Sequence, residues 1–149
     1  MLIVKTLLAK ILGSIKADYI IEQGTSGIWT YRKWASGIAE CWGLWYGTLS
    51  HYGSALGGYA YNSGAISYPS GLFIAKPNAQ FSGYIGSGFC LCGNILSNSS
   101  KDNIVCYAIA TASGSQSCGF YIHSVGRWKS GGVVRLLKLF TPQRGWAVC

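Results

Sequence analysis

The spacing of apolar residues changes character twice along the chain. Over residues 1–16, Met1, Val4, Leu8, Ile11 and Ile15 recur at alternating three- and four-residue steps, and Leu7 and Leu12 widen the stripe. Lys5, Lys10 and Lys16 fall off it. This pattern predicts a short amphipathic helix. Two heptads are too few for a coiled coil that is stable by itself. Three roles suit such a helix. It can pack on its own domain, form an oligomerising stalk through Val4, Leu8, Ile11 and Ile15, or lie on a membrane surface.

From Asp18 the period drops to two. Tyr19–Gly24 reads as a first strand. Ile28–Trp34 and Ile38–Tyr46 read as a hairpin turning through Ala35-Ser36-Gly37. Residues 47–64 are rich in Gly, Ser and Asn and read as loop. Further strands are expected at Ile66–Ala75, Ala79–Ile85, Phe89–Gly93, Ile104–Ala112 and Cys118–Trp128. Pro69 in the first of these marks a kink or an edge. Short strands with turn signals between them, and no helical pattern, predict an all-β fold: an antiparallel β-sandwich or barrel with a short N-terminal amphipathic helix.

The second change comes at Ser130-Gly131-Gly132, which reads as a linker. The stretch VVRLLKLF at 133–140 is apolar and basic, unlike the domain before it. The expected organisation is a helix or stalk at 1–17, a β-domain at 18–129 and an extension at 130–149.

Composition sharpens this picture. Half of the 149 residues are hydrophobic and only 11% are charged, against about 25% in a typical globular protein. Disorder is therefore excluded. A net charge of +8 suggests nucleic acid or an anionic membrane. Its placement changes that reading. Residues 1–16 hold Lys5, Lys10 and Lys16 and no acid, hence +3. Residues 127–149 hold Arg127, Lys129, Arg135, Lys138 and Arg144 and no acid, hence +5. Between them, Arg32, Lys33, Lys76 and Lys101 balance Asp18, Glu22, Glu40 and Asp102. The body of the protein is neutral, which argues against phosphate contacts and nucleic acid. Membrane contact would fall to the basic ends.

Six cysteines stand at 41, 90, 92, 106, 118 and 149. Residues 1–15 are interrupted by Lys5 and Lys10 and are followed by no small-residue cleavage site, so a secretory leader is not expected. Folding in a reducing cytoplasm with buried free thiols follows. Cys90-x-Cys92 with Cys106 and Cys118 is the metal-binding alternative, but the Cys-x-x-Cys knuckle is absent, and no metal or cofactor is expected. Catalytic signals are equally sparse. Glu22 and Glu40 could face each other on adjacent strands as a carboxylate pair, but surface structure is the commoner use. Cys106 and His123 carry no local nucleophile signature. The expectation is a protein without catalysis.

Exposed aromatic and small polar groups are what a binding face uses. The densest such stretch supplies the candidate ligand-binding residues Trp45, Tyr46, His51, Tyr52, Tyr59, Tyr61 and Asn62. Trp29, Trp34 and Trp42 are expected in the core.

Three segments also carry a family resemblance. The run EQGTSGIWTYRKWASGIAECWG within Asp18–Tyr46, the stretch SYPSGLFIAKPNAQF at Ser67–Phe81 and YIHSVGRWK at Tyr121–Lys129 together resemble the C-terminal domain of tail-fibre and other minor structural proteins of tailed bacteriophages and prophages, especially those of Gram-positive gut bacteria. The resemblance spans about residues 18–129. It implies a compact β-sandwich or barrel, usually a homotrimer, in a virion made in the bacterial cytoplasm. It further implies adhesion to a host-surface receptor, a glycan or protein, or a structural role among other virion subunits. No family motif assigns receptor-contacting residues.

Overall fold

A computed structural model describes residues 18–86, 89–94 and 98–130. The helix predicted at 1–16, with Val4, Leu8, Ile11 and Ile15, lies outside the described residues, as does 131–149.

Nine strands make up the described structure: β1 (Ile20–Ser26), β2 (Trp29–Trp34), β3 (Ile38–Ser50), β4 (Gly53–Ala55), β5 (Gly58–Ser67), β6 (Asn78–Ile85), β7 (Cys90–Asn94), β8 (Asn103–Ala110) and β9 (Ser115–Arg127). They form a five-stranded sheet in the order β1-β2-β3-β9-β6 and a four-stranded sheet in the order β4-β5-β8-β7. Every pairing is antiparallel. Two separate sheets enclosing one core make this a sandwich.

Alternation decides which side chains meet in that core. On β9, Cys118, Phe120, Ile122 and Ser124 are buried while Tyr121, His123 and Val125 are exposed. On β8, Ile104, Cys106, Ala108 and Ala110 face inward. Trp29, Cys41 and Phe120 from the larger sheet and Tyr61, Ile104 and Cys106 from the smaller one belong to a single cluster. Fully burying a side chain the size of Phe120 or Leu72 contributes roughly 1.5–3 kcal/mol.

Two strand expectations need correction. Residues 47–64 are mostly strand. β3 runs on to Ser50 because Gly47, Thr48, Leu49 and Ser50 pair with Cys118, Ser117, Gln116 and Ser115. β4 and β5 then form a hairpin through Leu56-Gly57. Conversely, the strand expected at Ile66–Ala75 stops at Ser67. The segment 68–77 carries the chain from the smaller sheet to the larger, turning where the Leu72 N–H donates to Pro69 O (3.1 Å). It closes one end of the core with Tyr68, Leu72 and Phe73. Trp29 Nε1 donates to Ser67 O (2.7 Å), and its ring lies 5.2 Å from that of Tyr68.

Candidate functional site

β3 inverts the usual allocation of bulk. In its first half the inward positions are small, Ala39, Cys41 and Gly43, before Trp45 and Leu49 turn toward the core, whereas the outward positions are Glu40, Trp42, Leu44 and Tyr46. The small inner residues let the sheet approach its neighbours. At Gly43 a Cβ would collide with the backbone carbonyl of Ile28.

Register then builds a surface from three strands. β9 lies between β3 and β6, so cross-strand rows form on the outer face. Trp42, His123 and Gln80 make one row; Leu44, Tyr121 and Ser82 make the next. Together they line a shallow groove of about 590 Å³, within the ~300–1,000 Å³ range of small-molecule sites. In the following row Tyr46 and Tyr84 flank Gly119, and their rings meet with centroids 6.4 Å apart. Tyr84 lies across Gly119, where any Cβ would enter its ring. Burial and the neighbouring Tyr46 and Tyr121 push the Tyr84 hydroxyl pKa upward.

Charged residues at the border hold the groove's main ring. Arg32 lies over Trp42, 4.9 Å from the ring centroid. Its Nη1 is 3.8 Å from Glu40 Oε1, while Glu40 Oε2 is 3.2 Å from His123 Nε2. His123 meets Trp42 edge to face at 6.4 Å. Arg32, Glu40, His123 and Trp42 thus form a closed ring of contacts. A cation over a Trp face contributes about 0.5–1 kcal/mol at an exposed site.

The candidate residues from the aromatic stretch do not share one surface. Tyr46 joins the outer face just described. Trp45, its neighbour, points inward and packs on Phe120 at 5.7 Å. His51 sits near Tyr59 (5.1 Å) and Tyr61 (6.4 Å), and its Nδ1 accepts the Gly114 N–H at 3.0 Å. Tyr61 is fully buried and donates its hydroxyl to Ala112 O (2.5 Å). Tyr52 packs against Tyr107 at 6.0 Å on the smaller sheet. Asn62 Oδ1 accepts the Gly64 N–H (2.7 Å) and shapes the bulge in β5. Of the three tryptophans expected in the core, Trp29 is buried, Trp34 is half-buried and Trp42 lies in the outer groove.

Sequence reading missed Trp42, Leu44, Gln80, Ser82, Tyr121 and His123 as a group, because three distant segments supply them. The signal on β3 was present in its first half, where Glu40, Trp42 and Leu44 alternate with Ala39, Cys41 and Gly43.

The carboxylates considered for catalysis are separated. Glu22 accepts from Lys33 Nζ (3.0 Å) and Tyr31 (3.2 Å), side chains on the face of β2 that also carries Trp29. Glu40 bonds on the opposite face. Among the described residues, no three His, Cys, Asp or Glu side chains are arranged to hold a metal ion. Cys41, Cys90, Cys92, Cys106 and Cys118 are free thiols, with the Cys90 and Cys92 sulfurs 3.6 Å apart. Burial raises the Cys41, Cys92 and Cys106 pKa values to about 12.

Fold and groove together define a two-sheet β-sandwich with an aromatic and amide-lined outer face. Its described architecture is similar to a solved structure, an N-truncated R1-type pyocin tail fibre, with a TM-score of 0.56 over 81% of this chain and 94% of that one. Identity is 9%, so the likeness is one of fold. A C-terminal piece of the P. aeruginosa R1 pyocin fibre aligns with a TM-score of 0.48 and 12% identity, over 79% of this chain and 30% of that one. No protein-family model and no curated protein matches the chain.

Proposed function

We propose that this chain is a tail-fibre-like virion domain that attaches to a host-surface receptor, a saccharide, without catalysis. The observation that carries the reading is the three-strand groove. It sets Trp42, Leu44 and Tyr121 beside Gln80, Ser82 and His123. Rigid aromatic faces stack on the apolar faces of sugar rings, and amide and hydroxyl groups meet their hydroxyls. The fold likeness to a pyocin tail fibre supports a place in a virion. Opposed orientations of Glu22 and Glu40 support binding rather than glycosidic cleavage. Assembly as a homotrimer with other virion subunits belongs to the same reading, since copies of a weak site gain avidity.

A structural reading has its own support. Leu44, Tyr46, Tyr84 and Tyr121 are all exposed on this face, and apolar surface of that kind also serves subunit contacts. Whole-cell binding separates the two. Under the adhesion reading, labelled protein binds host cells saturably, free sugar competes, and Trp42→Ala abolishes binding with the solution mass unchanged. Loss of the assembled mass in Trp42→Ala, with no binding to cells by the parent protein, would establish the interface reading instead.

A further inference from the structure

Resting on the saccharide reading, we infer that the groove takes an uncharged sugar ring and rejects acidic ones. The inference comes from how the groove's charges are engaged. Arg32, Glu40 and His123 border it. Arg32 is held by Glu40 on one side and by the Trp42 face on the other. Glu40 gives one oxygen to Arg32 and the other to His123. Drawing Arg32 toward an anionic ligand would break both of its contacts and leave Glu40 short of a cation. Arg127 is on the same face of β9 but four residues beyond His123, roughly 13 Å along the strand, where its Nε is directed to Lys129 O (3.4 Å).

The groups left for a ligand are uncharged. Gln80 and Ser82 stand on β6 at the open wall, exposed, with no hydrogen-bond partner among the described residues. Trp42 on β3 and Tyr121 on the central β9 line the rest of the groove with ring surface. One wall therefore stacks and the other hydrogen-bonds. A pyranose offers both kinds of surface: an apolar face of C–H groups and an edge of hydroxyls. An amide is suited to such an edge because it donates and accepts at once. Sites built on neutral hydrogen bonds discriminate by leaving polar groups unpaired when the wrong ligand enters.

The test uses the full chain on immobilised oligosaccharides. One set ends in galactose, glucose, mannose or N-acetylglucosamine; the matched set ends in a uronic acid, a sialic acid or a sugar phosphate. Binding is measured at about pH 8, above the ordinary imidazole range. Saturable binding confined to neutral termini is expected, changing less than about twofold between about 50 and about 500 mM NaCl. Gln80→Ala, a surface change, lowers neutral-sugar binding about tenfold. Preferential binding of acidic termini or a tenfold loss with salt would overturn the inference while leaving saccharide adhesion intact. No binding to either set, together with Trp42-dependent binding to whole cells, would overturn the saccharide reading itself.

Discussion

The hydroxyls of Tyr68 and Ser124 lie 2.9 Å apart inside the core. Tyr68 follows β5, and Ser124 sits on β9, so the bond ties the crossing segment to the larger sheet. Ser124 is the buried polar residue of that core, with no exposed surface. Tyr68→Phe removes its partner and leaves a buried hydroxyl unpaired, at a cost of about 1–2 kcal/mol. Ser124→Ala alone costs a similar amount, and the double variant recovers part of the loss. Urea unfolding of the four proteins measures this coupling; additive losses would show that the two hydroxyls act independently.

A second expectation concerns the β4–β5 turn. Leu56 adopts φ of 52° and is 85% exposed. Its neighbour Gly57 also has positive φ, at 76°. Two-residue turns of this type favour Asn-Gly, since a Leu in the left-handed region costs roughly 1 kcal/mol. Leu56→Asn should therefore raise stability by about 0.5–1 kcal/mol without touching the groove. Thermal unfolding reports it, and an unchanged or lower Tm would contradict the strain argument.

At Gly119 the conflict is with a side chain. Gly119→Ala must displace the Tyr84 ring and so part it from Tyr46. A loss of about 1–3 kcal/mol is expected, as for overpacking elsewhere. Adding Tyr84→Ala should restore much of it, because the clash then has no second party. Denaturant midpoints of the single and double variants decide the matter.

The buried thiols set an alkaline limit. Removal from water pushes the buried Cys41 and Cys106 and the half-buried Cys92 up to about 12 from the ordinary 9.0. Their folded pKa values are raised, so the stability they contribute is complete below pH 9.0 and is lost as pH rises toward 12. Tm in reducing buffer should hold to about pH 9 and then fall. Cys41→Ala should flatten that decline even if it lowers Tm at neutral pH through the lost packing.

Glu22 works in the opposite direction. Lys33 and Tyr31 hold its carboxyl below the usual 4.5. A depressed folded pKa adds stability above 4.5, and that stability is lost as pH falls through the folded value. Glu22→Gln should therefore reduce the acid sensitivity of Tm below about pH 4.5. Identical acid profiles would show that the Glu22–Lys33 pair is too solvated to matter.

Much of the sandwich was legible because period-two alternation is local. The hairpin around Ala35-Ser36-Gly37 and the strands at Ala79–Ile85 and Cys118–Trp128 all follow from it. Residues 47–64 misled because Gly47, Gly53, Gly57, Gly58 and Gly64 read as breaks. In the fold, Gly47 pairs with Cys118 and Gly58 with Ala55. Gly58 allows close approach of the Ala110 carbonyl from β8, and Gly47 leaves room for the Trp45 ring, tertiary properties that no local pattern carries. The groove was hidden for a related reason. Trp42, His123 and Gln80 are neighbours only once β9 is placed between β3 and β6, and pairing register is not written in any single strand.

That placement also governs how the molecule comes into being. β9 ends at Arg127, and both β3 and β6 rely on it for their hydrogen-bonded ladders. A ribosome releases β1, β2 and β3 long before this strand emerges. Until then the inner faces of Trp29 and Cys41 meet water, and β3 and β6 each have an open edge. Folding of the larger sheet therefore waits on the last of the described strands to be synthesised, and is slow in the way non-local topologies are. A nascent chain stalled upstream of Ser115 is a species that needs chaperoning, however stable the finished sandwich.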